Sequence, residues 1–147
     1  MKTPASIHGH PIHPMIVPIA IGCFVLSFVS DLICLATGSG QPWNMLAYYA
    51  MIGGVIGALC AAVPGLIDLL SLPSGFTRSI AVKHMSLNLL IVALFIWNAW
   101  MRHANPQALK FPMTLSLVAV LLLLVSGWLG GKMVFQAGVG VNGGNTG

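Results

Sequence analysis

The sequence predicts an all-α integral membrane protein, an up-down-up-down four-helix bundle. Of the 147 residues 57% are hydrophobic, only 5% are charged, and four long apolar stretches are separated by short loops. A soluble domain carries about 25% charged residues, so this composition excludes one. Disorder is excluded as well, because a disordered chain combines low hydrophobicity with high charge. The length suits a single transmembrane domain covering residues 1–147.

Four stretches are long enough to cross a bilayer, which takes about 20 apolar residues in a helix. They cover residues 14–36, 45–70, 79–101 and 112–135. Loops rich in Gly, Pro and Asn separate them and are short enough to make sequence neighbours antiparallel. The first stretch is expected to remain a helix rather than a cleaved signal. Residues 137–147, with five glycines and two asparagines, are expected to form a mobile end.

Small residues predict where the helices touch. Gly53, Gly57 and Ala61 follow small-xxx-small spacing in the second span, and Gly127 with Gly131 repeats it in the fourth. Close backbone packing is the favoured interpretation. A flat cofactor lying against these glycines is the less favoured one.

Polar side chains are the informative positions in so apolar a chain, because they are costly at membrane depth. Antiparallel spans place them at two ends of the bundle. End A, which receives the start of the first span and the end of the fourth, holds His8, His10, His13, Asp68, Arg78, Lys83, His84, Lys132 and Gln136. End B holds Asp31, Trp43, Arg102, His103 and Lys110.

Spacing predicts that the first and third spans face each other. The third carries a helical stripe that includes His84, Asn88, Ile91, Phe95, Asn98 and Arg102. His13 and Asp31 are 18 residues apart, as are His84 and Arg102, which is about five turns of helix. Because the two spans run in the same direction, we expect the histidines to meet at end A and Asp31 to meet Arg102 at end B.

The two acidic residues have structural interpretations and functional alternatives. For Asp31 and Arg102 a structural ion pair is favoured over a proton relay. Arg102 reaching for head groups, with Asp31 bonded to a nearby hydroxyl, is the other option. Asp68 is expected to accept from the first turn of the third span, to pair with Lys83, or to fix a histidine tautomer.

The histidines allow three interpretations. In the first, the imidazoles bond backbone or lipid head groups where the first helix begins. In the second, His13 and His84 are the axial ligands of a haem b, with His10 or Asp68 as alternate ligand or support. In the third, His8, His10, His13 and His84 form a copper or zinc site, with methionines nearby as soft donors.

Other function classes lack the residues they need. The chain has no glutamate and only two aspartates, so paired-carboxylate catalysis is excluded, and no complete set of catalytic groups predicts an enzyme. Cys23, Cys34 and Cys60 are isolated in apolar spans and are expected to be small core residues. No clustered basic face indicates nucleic-acid binding.

Several motifs together resemble those of a known bacterial membrane family. They are the segments Ile7–Met15 (IHGHPIHPM), Ala61–Asp68 (AAVPGLID), Gly127–Val134 and Gly138–Val141, together with His84. In these the chain resembles the family called domain of unknown function 2231 over nearly its whole length. The resemblance implies a four-helix integral membrane protein and, through relatives joined to Rieske iron–sulfur domains, a redox setting. The fourth-span motif of the family often carries an acid where this chain has Lys132, so the chain departs from the family pattern at that position.

The leading functional hypothesis is a small redox or electron-transfer protein of the bacterial inner membrane that holds haem b. Its rivals are a non-catalytic membrane subunit or scaffold, and the copper or zinc site. The expected partners are the lipid bilayer and a membrane or iron–sulfur redox protein, and self-association is a further option. Both termini are expected at end A, and the positive-inside rule favours end A as cytoplasmic. The cations at end A are Lys2, Arg78, Lys83 and Lys132, against Arg102 and Lys110 at end B.

Overall fold

The computed structural model describes residues 3–38, 40–106 and 109–141. A short hairpin pairs Ser6–Ile7 (β1) with His10–Pro11 (β2). The helices are Ile12–Thr37 (α1), Trp43–Ser71 (α2), Phe76–Ala104 (α3) and Lys110–Phe135 (α4). Each begins and ends within three residues of the span expected from the sequence. α1 packs mainly on α2 and α3 mainly on α4, so the all-α bundle is confirmed.

The surface of the bundle is apolar and much of its buried interior is polar. All four helices are long and apolar enough to cross a membrane, with mean hydropathies of 1.8 to 2.3 in their most apolar segments. Large apolar side chains such as Leu124 and Trp128 are exposed, whereas Ser27, Asn98 and Ser116 are fully buried. Such a surface is solvated by lipid rather than by water, and helices satisfy their own backbone groups there. The protein is an integral membrane protein.

The α1–α2 and α3–α4 hairpins repeat one arrangement at end A. His13 on α1 bonds the main-chain carbonyl of Ala61 on α2, and His84 on α3 bonds that of Ser126 on α4. The two histidines are 71 residues apart in sequence, and the two carbonyls are 65 residues apart.

The same offsets recur near end B. Ser27 Oγ donates to the carbonyl of Ala47, and Asn98 Nδ2 donates to the carbonyl of Pro112, each at 2.8 Å. The donors are again 71 residues apart and the carbonyls 65. The two hairpins are therefore related by an approximate two-fold rotation about the long axis of the bundle.

Side chains of α1 and α3 meet in pairs along this axis. The pairs, each 71 residues apart, are His13 with His84, Phe24 with Phe95, and Asp31 with Arg102. The two phenylalanine rings stack in parallel with centroids 4.0 Å apart, and both are buried. This apolar layer separates the histidines at end A from the ion pair at end B.

Glycines make room for this core on α2, as the sequence predicts. A Cβ on Gly57 would lie 3.3 Å from the backbone nitrogen of Ala20, and one on Gly53 would lie 3.5 Å from Cys23 Sγ. The prediction for α4 is wrong. A Cβ on Gly127 would meet nothing within 4 Å, and one on Gly131 would meet only Phe135 of its own helix.

The two ends of the described chain are ordered at end A. The hairpin turn places His8 and Gly9 at φ values of 48° and 81°, which is the pattern of a type I′ turn. α4 ends in a left-handed cap, where Gly138 has φ 62° and its N–H donates to the carbonyl of Val134 at 3.1 Å. Residues 137–141 thus extend the folded part beyond the point where a mobile end was expected, and residues 142–147 lie outside the described chain.

The last of these residues also contact the N-terminal hairpin. Gly140 lies against Pro11, where a Cβ would be 3.2 Å from the proline Cγ. The start of α1 and the end of α4 therefore lie together at end A.

Candidate functional site

His13 lies in the first turn of α1, where Pro14 is tolerated because the N–H groups of the first turn have no helical partners. Its Nδ1 donates to the carbonyl of Ala61 at 2.8 Å, because a carbonyl oxygen can only accept. Its ring lies over Gly65, where a Cβ would be 2.7 Å from Nδ1. Within the described part of the chain no residue hydrogen-bonds to His13 Nε2. In the neutral imidazole that nitrogen is the acceptor of the ring.

His84 occupies the equivalent place in the second hairpin. Its Nδ1 lies 2.9 Å from the carbonyl of Ser126, to which it donates. Gly130, four residues after Ser126, lies against the ring as Gly65 lies against His13. Both imidazoles are thus held by a carbonyl and a glycine four residues later on the partner helix.

A closed set of hydrogen bonds distinguishes His84 from His13. The amide of Asn88 donates to His84 Nε2 at 3.0 Å, and the hydroxyl of Ser126 donates to Asn88 Oδ1 at 2.6 Å. His13 has no such neighbours, because Val17 and Ala61 stand in the equivalent positions. The lone pair on His84 Nε2 is therefore already engaged.

The structure brings His13 and His84 together at end A. Their ring centroids are 6.5 Å apart and the ring planes are nearly perpendicular, at 88°. The two rings come from diagonal helices and face the axis of the bundle. This is the juxtaposition that the 18-residue spacing predicts.

The remaining candidate ligands are not grouped with this pair. His8 and His10 are exposed on the N-terminal hairpin. In the parts of the chain that the structure covers, no three His, Cys, Asp or Glu side chains are arranged to hold a metal ion. The four-histidine cluster considered for copper or zinc is therefore not assembled.

Asp68 has a role that none of the sequence interpretations included. Its Oδ1 accepts a hydrogen bond from the backbone N–H of Ala5 at 3.0 Å. Neither Lys83 nor a histidine is its partner, and it tethers the N-terminal hairpin to the last turn of α2 instead. The reason is the position of residues 3–11, which fold back over end A and bring a free N–H to the carboxylate.

At end B, Asp31 and Arg102 form a buried ion pair. Arg102 Nη2 donates to Asp31 Oδ2 at 2.7 Å, and both side chains are 2% exposed. Arg102 also donates from Nε to Asn98 Oδ1 and from Nη1 to Asn44 Oδ1. Asp31 Oδ1 is buried without a hydrogen-bond partner among the described residues. The guanidinium thus joins α1, α2 and α3, which excludes the head-group alternative for its side chain.

Sequence reasoning missed the residues that orient the histidines. These are Gly65, Gly130, Asn88 as a bonding partner, and Ser126. The signal that could have found them is the internal repeat, since Ala61–Gly65 and Ser126–Gly130 share one spacing at one offset.

Comparison with known proteins agrees with this architecture. No curated protein and no solved structure matches the chain. Residues 9–143 match the family described as predicted membrane protein (DUF2231). Because the match covers nearly the whole chain, the protein belongs to the DUF2231 family.

Proposed function

We propose that the protein is a small redox component of the membrane that holds haem b between His13 and His84. The observation that carries the proposal is the pair of imidazoles 6.5 Å apart, each held by a main-chain carbonyl. Metal-bound histidines typically donate their other ring N–H to such an oxygen, which fixes the tautomer and orients the ring. Both Nδ1 atoms are engaged in this way, so Nε2 would be the atom through which each ring holds the iron.

The number of ligands favours haem over a bare metal ion. Zinc and copper sites take three or four protein ligands, whereas haem iron needs at most two, because the porphyrin supplies the others. End A offers two facing imidazoles and, among the described residues, no third grouped ligand.

The spacing of the rings also suits two ligands of one iron. A metal–imidazole bond is about 2 Å long, so two imidazoles that share one iron would have ring centroids roughly 6 Å apart. α1 packs mainly on α2 and α3 mainly on α4, so a planar group would lie between the two hairpins rather than within either. For His84 Nε2 to bind iron, the hydrogen bond from the Asn88 amide to that nitrogen would have to break.

Haem iron held by two histidines supplies one-electron transfer. The histidine pair lies at end A, with the stacked phenylalanines between it and end B. Electrons would therefore enter and leave at end A, from a membrane or iron–sulfur partner that docks there. We further propose the bacterial inner membrane as the location and the cytoplasm as the side that end A faces, on the excess of cations there.

The test is the absorption spectrum of detergent-purified protein from haem-replete cells, before and after dithionite. We expect a reduced b-type spectrum that His13→Ala and His84→Ala each abolish. His103→Ala, which removes an exposed histidine at the other end of the bundle, is the matched control and should leave the spectrum unchanged. Asn88→Ala should retain haem, because it removes the group that competes for His84 Nε2.

A non-catalytic membrane subunit is the second candidate, favoured by the closed hydrogen-bond set around His84. A preparation that stays colourless after haem titration would overturn the haem proposal. Metal analysis would then distinguish a copper or zinc protein from this structural role.

A further inference from the structure

An open cleft with two cations in its mainly apolar lining lies at end A, outside the histidine pair. It has a volume of about 360 Å³ and lies between the α2–α3 turn and the first two turns of α3. Neither His13 nor His84 lines it. The residues that do are Ser74, Gly75, Arg78, Ser79, Val82 and Lys83.

Among the residues that the structure describes, the two cations in the cleft have no acidic partner. Arg78 Nη1 donates to the carbonyl of Leu72 at 3.3 Å, which holds the guanidinium at the turn and leaves its other N–H groups available. Lys83 is exposed, and within residues 3–38, 40–106 and 109–141 its ammonium has no partner. A third cation lies close by, since Lys132 Nζ is 5.6 Å from the ring centroid of Phe76 at the start of α3.

The acids of the chain are engaged elsewhere. Asp31 pairs with Arg102 at end B, and Asp68 accepts from the N–H of Ala5. These are the two acidic residues of the sequence. No acidic side chain of this sequence therefore balances the positive charge of the cleft.

The cleft opens onto the lipid-facing surface of the bundle. Val82 lines the cleft and is 47% exposed. Leu89, two turns further along α3, continues the same exposed apolar face. Two cations and two serine hydroxyls at the end of an apolar face match a phosphate group joined to acyl chains.

We propose that this cleft binds the phosphate of an anionic phospholipid. Arg78 and Lys83 neutralise the phosphate, Ser74 and Ser79 donate to its oxygens, and an acyl chain lies along Val82 and Leu89. Free phosphate esters share the head-group chemistry but cannot use the apolar face, which is why a lipid is the favoured source.

The experiment measures binding of phosphatidylglycerol and phosphatidylcholine to the purified full-length protein by native mass spectrometry in detergent. We expect tighter binding of phosphatidylglycerol. Arg78→Gln and Lys83→Gln should each weaken it about fivefold, from the usual contribution of one cation near a membrane surface. Lys110→Gln, which removes an exposed cation at end B, should not. Helix content by circular dichroism confirms that each variant is folded.

Glycerol phosphate, added as the soluble competitor, identifies the source of the ligand. If glycerol phosphate displaces phosphatidylglycerol only at a large molar excess, the result supports a lipid site. If glycerol phosphate binds as tightly as phosphatidylglycerol, the ligand is a free phosphate ester and not a lipid. Equal binding of the two lipids, or unchanged binding in Arg78→Gln and Lys83→Gln, would overturn the proposal. None of these results depends on haem.

Discussion

The carboxylate of Asp31 and the guanidinium of Arg102 form an ion pair at end B with both side chains only 2% exposed. Two charges taken out of water recover their desolvation energy only if each finds a partner. Arg102 finds three, on α1, α2 and α3. The pair therefore acts as a structural connection between helices.

Removing one partner should cost far more than removing both. We predict that Asp31→Leu or Arg102→Met alone lowers the free energy of unfolding by about 3–5 kcal/mol, because each leaves an unpaired buried charge. The double variant should be more stable than either single one, and Lys110→Gln should match the unaltered protein. The measurement is reversible unfolding in detergent micelles, and strictly additive effects would contradict the prediction.

Gly65 and Gly127 provide a matched pair for testing the position of the His13 ring. A Cβ on Gly65 would lie 2.7 Å from His13 Nδ1, whereas one on Gly127 would meet nothing within 4 Å. We predict that Gly65→Ala displaces the ring and costs about 1–3 kcal/mol, the usual penalty of overpacking. Gly127→Ala should be neutral or stabilising, since Ala favours helix. Equal effects in unfolding experiments would disprove the placement of His13.

At the scale of the helices, α1 and α2 approach closely because Gly54 has no side chain. A Cβ there would lie 2.5 Å from the ring of Phe24, which is stacked on Phe95 and cannot move away. We predict that Gly54→Ala lowers stability by about 1–3 kcal/mol or more. Gly53→Ala is the control, because its Cβ would make an ordinary contact of 3.5 Å with Cys23 Sγ. Thermal unfolding that ranks Gly53→Ala as the worse variant would refute this packing.

The helices agree with the sequence prediction, whereas the segment after α4 does not. The sequence predicts four spans correctly because each apolar run is long and each loop contains breakers. It does not predict that residues 137–141 continue the fold. Their order depends on the left-handed cap at Gly138 and on the contact of Gly140 with Pro11, which no local pattern contains.

At the scale of the whole molecule, the bundle should have one orientation in the membrane. Ser74 lies in the α2–α3 turn at end A, and Asn105 follows α3 at end B. In a chain whose native cysteines are replaced by alanine, the orientation proposed above predicts that Ser74→Cys reacts with an impermeant maleimide only after the membrane is opened. Asn105→Cys should react in intact spheroplasts. The reverse pattern would place end A outside the cytoplasm.

Composition and spacing by themselves determined the membrane class, the four helices and the pairing of α1 with α3. Span length depends on bilayer thickness, and the 18-residue spacing depends on helix geometry, so both can be read from one chain. Only the tertiary structure decided which main-chain groups and glycines the polar side chains contact. The carbonyls of Ala61 and Ser126 that orient the histidines, the N–H of Ala5 that engages Asp68, and the glycines that admit the rings are all distant in sequence from the groups they contact. Main-chain partners have no side-chain signature, so only packing reveals them.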